Sequence, residues 1–350
     1  MVATIAVGRG GDGHRLVGGS ELAVLANGFL AHLAWRNFSP ATVRGYAYDL
    51  ANFGTFLADR GLGVGSVVPS DLFAYLDWHS VLVPTVTTVV TLAPRRPAAT
   101  TMNRRICAVR GMFEYAGVTG VRADNPVPAA RRSSRLRASQ RGLLGHLKPR
   151  GEHAGGTLVR SPHRLPESLP DGEVSAFLAD LLTFRDRAMV LAMLLGGLRS
   201  AEVRSLRLAD VDMGLRRVRV VGKGNKERVV PVDQAFFAET AAYLRSERPA
   251  GCSTLECFVV LRGPTTGCRV SEAGLRKIFR KHRASSGAVR VRPHRLRHTY
   301  GTELAAAGMD LLVLRALMGH SSPESTAAYV HLAPQHLAAQ YQAARTAAGR

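Results

Sequence analysis

The sequence predicts a mostly α-helical protein of two domains that carries one small antiparallel β-sheet. Three observations point there. Apolar residues recur at helical spacing through most of the chain, two short β-type runs flank a Gly-Lys-Gly-Asn turn at 222–225, and composition changes abruptly between residues 126 and 168. At 350 residues the chain is also too long for one ordinary domain.

Residues 1–19 are Gly-rich and are expected to be a flexible start. Leu22, Leu25, Phe29, Leu30 and Leu33 then mark a first helix ending near Asn37. A second begins where Ser39 can cap free backbone N–H groups and Pro40 fits the first helical position. Its apolar face runs through Val43, Tyr46, Leu50, Phe53 and Leu57, and Gly61 closes it. A third helix is expected after Ser70 as cap, with Leu72, Tyr75 and Leu76 buried. Residues 81–99, rich in Val, Thr and Pro, read as a loop. A fourth helix over 101–116 carries Arg104, Arg105 and Arg110 beside Ile106, Val109 and Phe113. Residues 20–125 therefore form a helical first domain.

The stretch 126–168 is rich in Arg, Ser, Gly and Pro without apolar periodicity, and reads as a basic linker. Two readings stay open for it, a solvated tether and a strap that follows an anionic backbone and orders on binding. The second domain, 169–350, starts with a helix that Asp171 is placed to cap, carrying Val174, Phe177 and Leu181. A helix over 187–195 stops at Gly196-Gly197. Strands over 216–221 and 227–232 form the hairpin, helices over 234–247 and 271–283 follow, and the segments after Arg297 read as helices broken at Gly308 and near Gly319.

With 47 Lys and Arg against 26 Asp and Glu, the formal net charge is +21. That balance suits an anionic polymer, because each neutralised phosphate releases condensed counterions. No apolar stretch is long enough to span a bilayer and the N-terminus lacks a signal-peptide core, so a cytoplasmic, nucleoid-associated protein with no membrane partner is expected. Cys107, Cys252, Cys257 and Cys268 show no metal-ligand spacing and are expected to be buried thiols. Neither a nucleotide-binding P-loop nor a carboxylate cluster for a metal is present, so neither cofactor nor metal is expected.

The chemistry-bearing residues cluster. Cleavage of a phosphodiester by a tyrosine needs an in-line nucleophile, cationic donors for the equatorial oxygens and an acid for the leaving hydroxyl. Arginine suits the second role because its planar fork donates two parallel hydrogen bonds and keeps its charge. Arg199 and Arg297 are the candidate pair, with Glu202 three residues from Arg199 and able to hold it. His294 and Arg297 share a helix face at the same spacing. Lys223 lies on the hairpin tip, suited to protonate a leaving 5'-oxygen, with Lys226 its rival. Tyr329 is the candidate nucleophile; a phenol of ordinary pKa about 10 needs nearby cations to attack at neutral pH. His320 sits at a helix boundary, while Tyr300 is expected to point into the core. Each alone also has an ordinary reading as a surface charge or core aromatic.

Their order removes that ambiguity. Gly-Leu-Arg-x-x-Glu at 197–202, Gly-Lys-Gly-Asn-Lys-Glu-Arg-x-x-Pro at 222–231, His-x-Leu-Arg-His at 294–298, Gly-His at 319–320 and Tyr-x-His at 329–331 follow one another over 169–335. In this pattern the chain resembles the tyrosine recombinase, or phage integrase, family, with Met318 in place of a leucine before Gly319. Ser-Pro-x-Thr and Tyr-x-x-Asp-Leu in the first domain are similar to the family's core-binding domain. The Arg-rich linker is longer than in compact members.

The resemblance implies a C-shaped, two-domain clamp on double-stranded DNA. It implies that Arg199 and Arg297 bind the scissile phosphate, Lys223 acts as general acid, and His294 and His320 assist proton transfer. Tyr329 would form a 3'-phosphotyrosyl link that a partner 5'-hydroxyl reseals, without nucleotide or metal. Four protomers on two sites, a directionality factor, and integration or excision of a mobile element are further implications. The helix expected over 335–348 would dock on a neighbour or fold back on its own domain. Arg44, Asn103, Arg104 and Arg276 are candidates for contacts that read DNA sequence, and Lys226 is a further candidate DNA contact. The competing readings are a type IB topoisomerase, which reseals the same strand, and a DNA-binding accessory protein without catalysis.

Overall fold

The computed structural model describes residues 5–10, 13–79, 97–128, 158–159, 168–222, 226–319 and 345–346. The chain divides into two compact units, Met1–His163 and Arg164–Arg350. The fold is mostly helical with small antiparallel sheets, as the sequence predicts.

The first unit opens with a hairpin, β1 (Val7–Gly10) and β2 (Gly13–Leu16), in which Val7 lies opposite Leu16. This corrects the flexible start expected for residues 1–19. The inward side chain Leu16 is buried in the unit's core, and its N–H and C=O are both bonded to the amide of Asn27, at 2.8 and 3.0 Å. A four-residue strand offers too few apolar positions to register as periodicity, so the ordering comes from tertiary contact.

Helices α1 (Glu21–Trp35), α2 (Pro40–Arg60), α3 (Pro69–Trp78) and α4 (Ala99–Val118) complete the unit. The Ser39 hydroxyl accepts the Thr42 N–H, Pro40 starts α2, and Gly61 ends it at φ 64°. At α3 the expected cap is corrected: Val68 is the capping residue, Pro69 takes the first helical position, and the Asp71 carboxylate accepts the Val68 N–H at 2.9 Å. Pro69 presets a helical φ, so the helix starts one residue before Ser70 could cap it. Phe53, Phe56, Tyr75 and Phe113 are fully buried at the centre of the unit. The beginning of the expected linker adheres to this unit: Val127 is buried, the Pro128 carbonyl accepts from Arg110, and further on Leu158 packs on the same core. The rest of the linker, and the loop expected over 81–99 up to residue 96, lie outside the described residues.

The second unit holds α5 (Asp171–Asp180), α6 (Phe184–Leu194), α7 (Ser200–Ser205), a three-stranded antiparallel sheet of β3 (Val211–Asp212), β4 (Arg217–Val221) and β5 (Glu227–Pro231), then α8 (Gln234–Ser246), α9 (Glu272–Ser286), α10 (Pro293–Ala306) and α11 (Leu311–Met318). Asp171 is the first residue of α5 rather than its cap, which is Pro170. The short β3 escapes sequence reading because two residues carry no alternation. In β4, Val218 and Val220 face inward between exposed neighbours, the alternation a half-covered sheet requires. The register pairs Val221 with Glu227, and the Gly222 N–H donates to the Lys226 carbonyl across the hairpin end.

One buried cluster joins Phe177 of α5, Met189 and Met193 of α6, Phe236 of α8, Phe279 of α9 and Leu296 of α10. Of the four cysteines only Cys257 is buried; Cys107 and Cys268 are exposed and Cys252 is half-buried, against the expectation that all are core thiols. No described helix is long and apolar enough to cross a membrane.

Candidate active site

Gly196 and Gly197 end α6 and turn the chain toward α7. Gly197 adopts φ 60°, and a Cβ there would fall 2.4 Å from the Tyr300 ring, so backbone and ring meet only because this residue is glycine. Tyr300 is buried on α10, as expected of it. The turn places Arg199 at the N-cap of α7, with its backbone N–H held by Glu202 Oε2 at 2.8 Å and its guanidinium Nη1 donating to Glu202 Oε1 at 2.8 Å. The expected Arg199–Glu202 ion pair is therefore present, but the carboxylate grips the arginine at both ends.

Glu202 serves a second arginine to which the sequence reading gave no role of its own. Arg228, on β5, donates to Glu202 through both terminal nitrogens, at 2.9 and 2.8 Å, in a bidentate fork. Burial alone would raise the Glu202 pKa. The hydrogen bonds from Arg228 and from the Arg199 backbone and side chain outweigh it and hold the carboxyl at about 2, so Glu202 is fully ionised.

The three arginines converge again at the end of α11. Arg228 Nε donates to the Leu317 carbonyl at 2.7 Å, Arg297 Nη2 to the Met318 carbonyl, and Arg199 Nη2 to the Gly319 carbonyl at 2.8 Å. These oxygens lack helical partners and carry the negative end of the helix dipole, so cations are favoured there. Arg297 is buried and its Nη1 donates to the Gly197 carbonyl. One guanidinium thereby ties the α6–α7 turn to the α11 terminus. Gly319 takes the left-handed conformation, φ 60°, that ends α11. The next residue, His320, lies outside the described residues.

Beside this cluster opens a cleft of about 1050 Å³ between the starts of α7 and α10 and one face of α9. Arg199, Arg276, Arg283, Arg292 and Arg297 line it with His294 and His298, against the single carboxylate of Glu272. His294 and His298 lie one helical turn apart with their Nε2 atoms 2.8 Å from each other. Partial burial lowers both pKa values, with Arg297 and Arg199 adding to the effect at His294; His298, further depressed by its neighbour His294, falls to about 4. Near neutral pH both rings are uncharged and one donates its N–H to the other. Arginines plus neutral imidazoles form a site for a polyanion whose own charge would raise those pKa values.

Arg199, His294 and Arg297 thus meet in one region. Lys223, His320 and Tyr329 lie outside the described residues, as does the expected C-terminal helix apart from residues 345–346. Lys226 is exposed at the hairpin end. Arg276 is exposed on the cleft rim and paired with Glu272 one turn earlier on α9. In the first unit Arg44 is exposed and stacks over the Tyr48 ring at 5.8 Å. Arg104 reaches Asp49 at 2.8 Å. The Asn103 amide is bonded at both ends to the backbone of Val159, at 2.8 and 3.0 Å, which ties the segment at 158–159 to α4. Arg228 was given no role of its own in the sequence, although it stands in the Gly-Lys-Gly-Asn-Lys-Glu-Arg run.

Comparison with known proteins agrees with this geometry. Residues 167–336 match the phage integrase family, and residues 26–118 match the phage integrase N-terminal SAM-like domain. The chain is 31% identical over 304 residues to tyrosine recombinase XerC of Mycobacterium tuberculosis, covering 87% of this chain and 92% of the relative. It is 29% identical to tyrosine recombinase XerC of Alcanivorax borkumensis over 332 residues, covering 93% and 94%. Among solved structures, the Tn1549 transposon integrase in complex with transposon right end DNA superposes with a TM-score of 0.64 at 16% identity, covering 92% of this chain and 99% of that one. The XerH recombinase bound to its difH substrate gives a TM-score of 0.59 at 18% identity, covering 86% and 79%. From the ordered motifs, the paired folds and relatives aligned over nearly their whole length, the chain belongs to the tyrosine recombinase (phage integrase) family.

Proposed function

We propose that this protein is a site-specific DNA recombinase that cuts and rejoins strands through a 3'-phosphotyrosyl intermediate. The observation that carries the reading is the convergence of Arg199 and Arg297 on successive carbonyls of the α11 terminus, Gly319 and Met318, at the edge of a cationic cleft. Two guanidinium groups held this close can flank one phosphate and donate to its non-bridging oxygens as charge builds in the transition state.

In this reading Tyr329 attacks the phosphorus in line, Lys223 or Lys226 gives the leaving 5'-oxygen its proton, and His294 and His320 hydrogen-bond the phosphate and handle the phenolic proton. The phosphotyrosyl ester keeps the energy of the broken bond, and a 5'-hydroxyl from a partner duplex attacks it to form the recombinant strand and release the tyrosine. Double-stranded DNA is the partner, with four protomers in the synaptic complex. Integration or excision of a mobile element, under a directionality factor, is the role that the resemblance to integrases supports.

The test is to trap the covalent adduct on a nicked suicide duplex and map the linked residue and nucleotide. Wild type is expected to form a protein–DNA adduct at a 3'-phosphate, and Tyr329→Phe to form none. Adduct formation by Tyr329→Phe at the wild-type rate would overturn the assignment.

A further inference from the structure

We propose that Arg228 is a positioning residue of the cleavage reaction, one that touches no DNA yet sets where Arg199 can hold the phosphate. The inference rests on the reading that Arg199 binds the scissile phosphate. Arg228 spends all three of its nitrogens on protein: Nη1 and Nη2 on the two Glu202 oxygens, and Nε on the Leu317 carbonyl. Its side chain is 11% exposed and that of Glu202 only 3%, so neither is offered to a polyanion in the cleft.

Those three bonds join segments far apart in sequence. Arg228 stands on β5, one residue past the hairpin end; Glu202 is on α7, and Leu317 is in the last turn of α11. The tie is tight, since a Cβ on Gly319 would lie 2.9 Å from the Arg228 guanidinium and one on Gly222 would lie 3.4 Å from it. The other end of Glu202 holds Arg199, whose remaining bond goes to the Gly319 carbonyl. Arg199 is therefore suspended between two supports, the carboxylate and the α11 terminus, and Arg228 fixes both. The same residue anchors β5 and the end of α11 against α7. A single guanidinium thus sets the register between β5, the start of α7 that carries Arg199, and the end of α11. Reacting groups tolerate little misplacement, and an error of about 1 Å from a remote substitution can cost on the order of 10²-fold in rate.

Lysine at 228 keeps one cation for Glu202 but has no planar fork and cannot reach two oxygens and a carbonyl together. The experiment compares wild type, Arg228→Lys, Arg199→Lys and the double variant. It uses the full chain, a nicked suicide duplex and temperatures well below each protein's own melting point. Single-turnover cleavage at saturating DNA, DNA affinity and thermal melting are read together. Arg228→Lys is expected to slow cleavage by roughly 10- to 100-fold while affinity changes less than about threefold. Added to Arg199→Lys, it should cost much less than it does alone, because its effect passes through Arg199.

Wild-type cleavage by Arg228→Lys would overturn the inference. So would an affinity loss as large as the rate loss, which would make Arg228 a DNA contact, or full additivity in the double variant, which would make its role independent of Arg199. An Arg199→Lys protein that cleaves normally would instead overturn the phosphate-binding reading itself, and that single variant separates the two failures.

Discussion

At the scale of single residues, the decisive group is Glu202, a buried carboxylate kept ionised by two arginines. Its pKa is held at about 2 in the folded chain, below the ordinary value of 4.5, so the folded state sheds this proton more readily than the unfolded one. The resulting stabilisation is fully present above pH 4.5 and is lost as pH falls toward 2. Glu202→Gln is expected to cost about 3 kcal/mol at pH 7, because it leaves two arginines with an uncharged acceptor. It should also flatten the acid limb of the stability profile between pH 4.5 and 2. Denaturant midpoints measured across that window check it, and an acid limb as steep as wild type would show that the linkage lies elsewhere. The Arg199–Glu202 pair was legible in the sequence because three residues on a helix bring side chains together. The Glu202–Arg228 pair was not, since its 26-residue separation is closed by the sheet and no local rule reports it. Nor does any local rule report that the Asn103 amide bonds the backbone of Val159, 56 positions away.

At the scale of elements, α11 is short, and its two ends are treated with unequal care. At the start, the Asp310 carboxylate accepts the Leu312 and Val313 N–H groups at 2.8 and 3.1 Å. At the finish, three arginines take the exposed carbonyls and Gly319 supplies the left-handed residue. Eight residues are too few to hold a helix by propensity, so caps and tertiary bonds must supply its stability. Asp310→Ala is therefore expected to lower stability by about 1 kcal/mol. By fraying the helix whose far end braces Arg199 and Arg297, it should also slow suicide-substrate cleavage more than it weakens DNA binding. A thermal melt and a single-turnover rate on the same preparation check both halves. Helices such as α2, with Ser39, Pro40 and Gly61 at their places, could be read directly because local chemistry and final fold agree there. The hairpin at residues 7–16 could not, because its order comes from Leu16 meeting α1 and α2 rather than from its own pattern.

At the scale of the whole molecule, a net charge of +21 states the class of partner but does not say which cations meet it. Many arginines are committed within the protein: Arg228 to Glu202, Arg110 to the Pro128 carbonyl, Arg185 to Asp186 and the Val259 carbonyl. Charge counting overstates the DNA footprint for that reason. The cleft gathers Arg199, Arg276, Arg283, Arg292 and Arg297, and Arg276 on its rim is the simplest member to test. Glu272 holds it from one turn earlier on α9, on a face open to solvent. Such a geometry suits contact with a phosphate, which every duplex offers in the same place, better than the fixed bidentate reach that a base edge requires. Each phosphate neutralised adds about 0.9 to the slope of log affinity against log salt. Arg276→Ala should therefore lower that slope by about 0.9 and weaken a target duplex and an unrelated duplex by the same factor. Binding titrations at several salt concentrations on the two duplexes decide it. An unchanged slope with preference lost only on the target would make Arg276 a reader of sequence, and would place a base edge against α9.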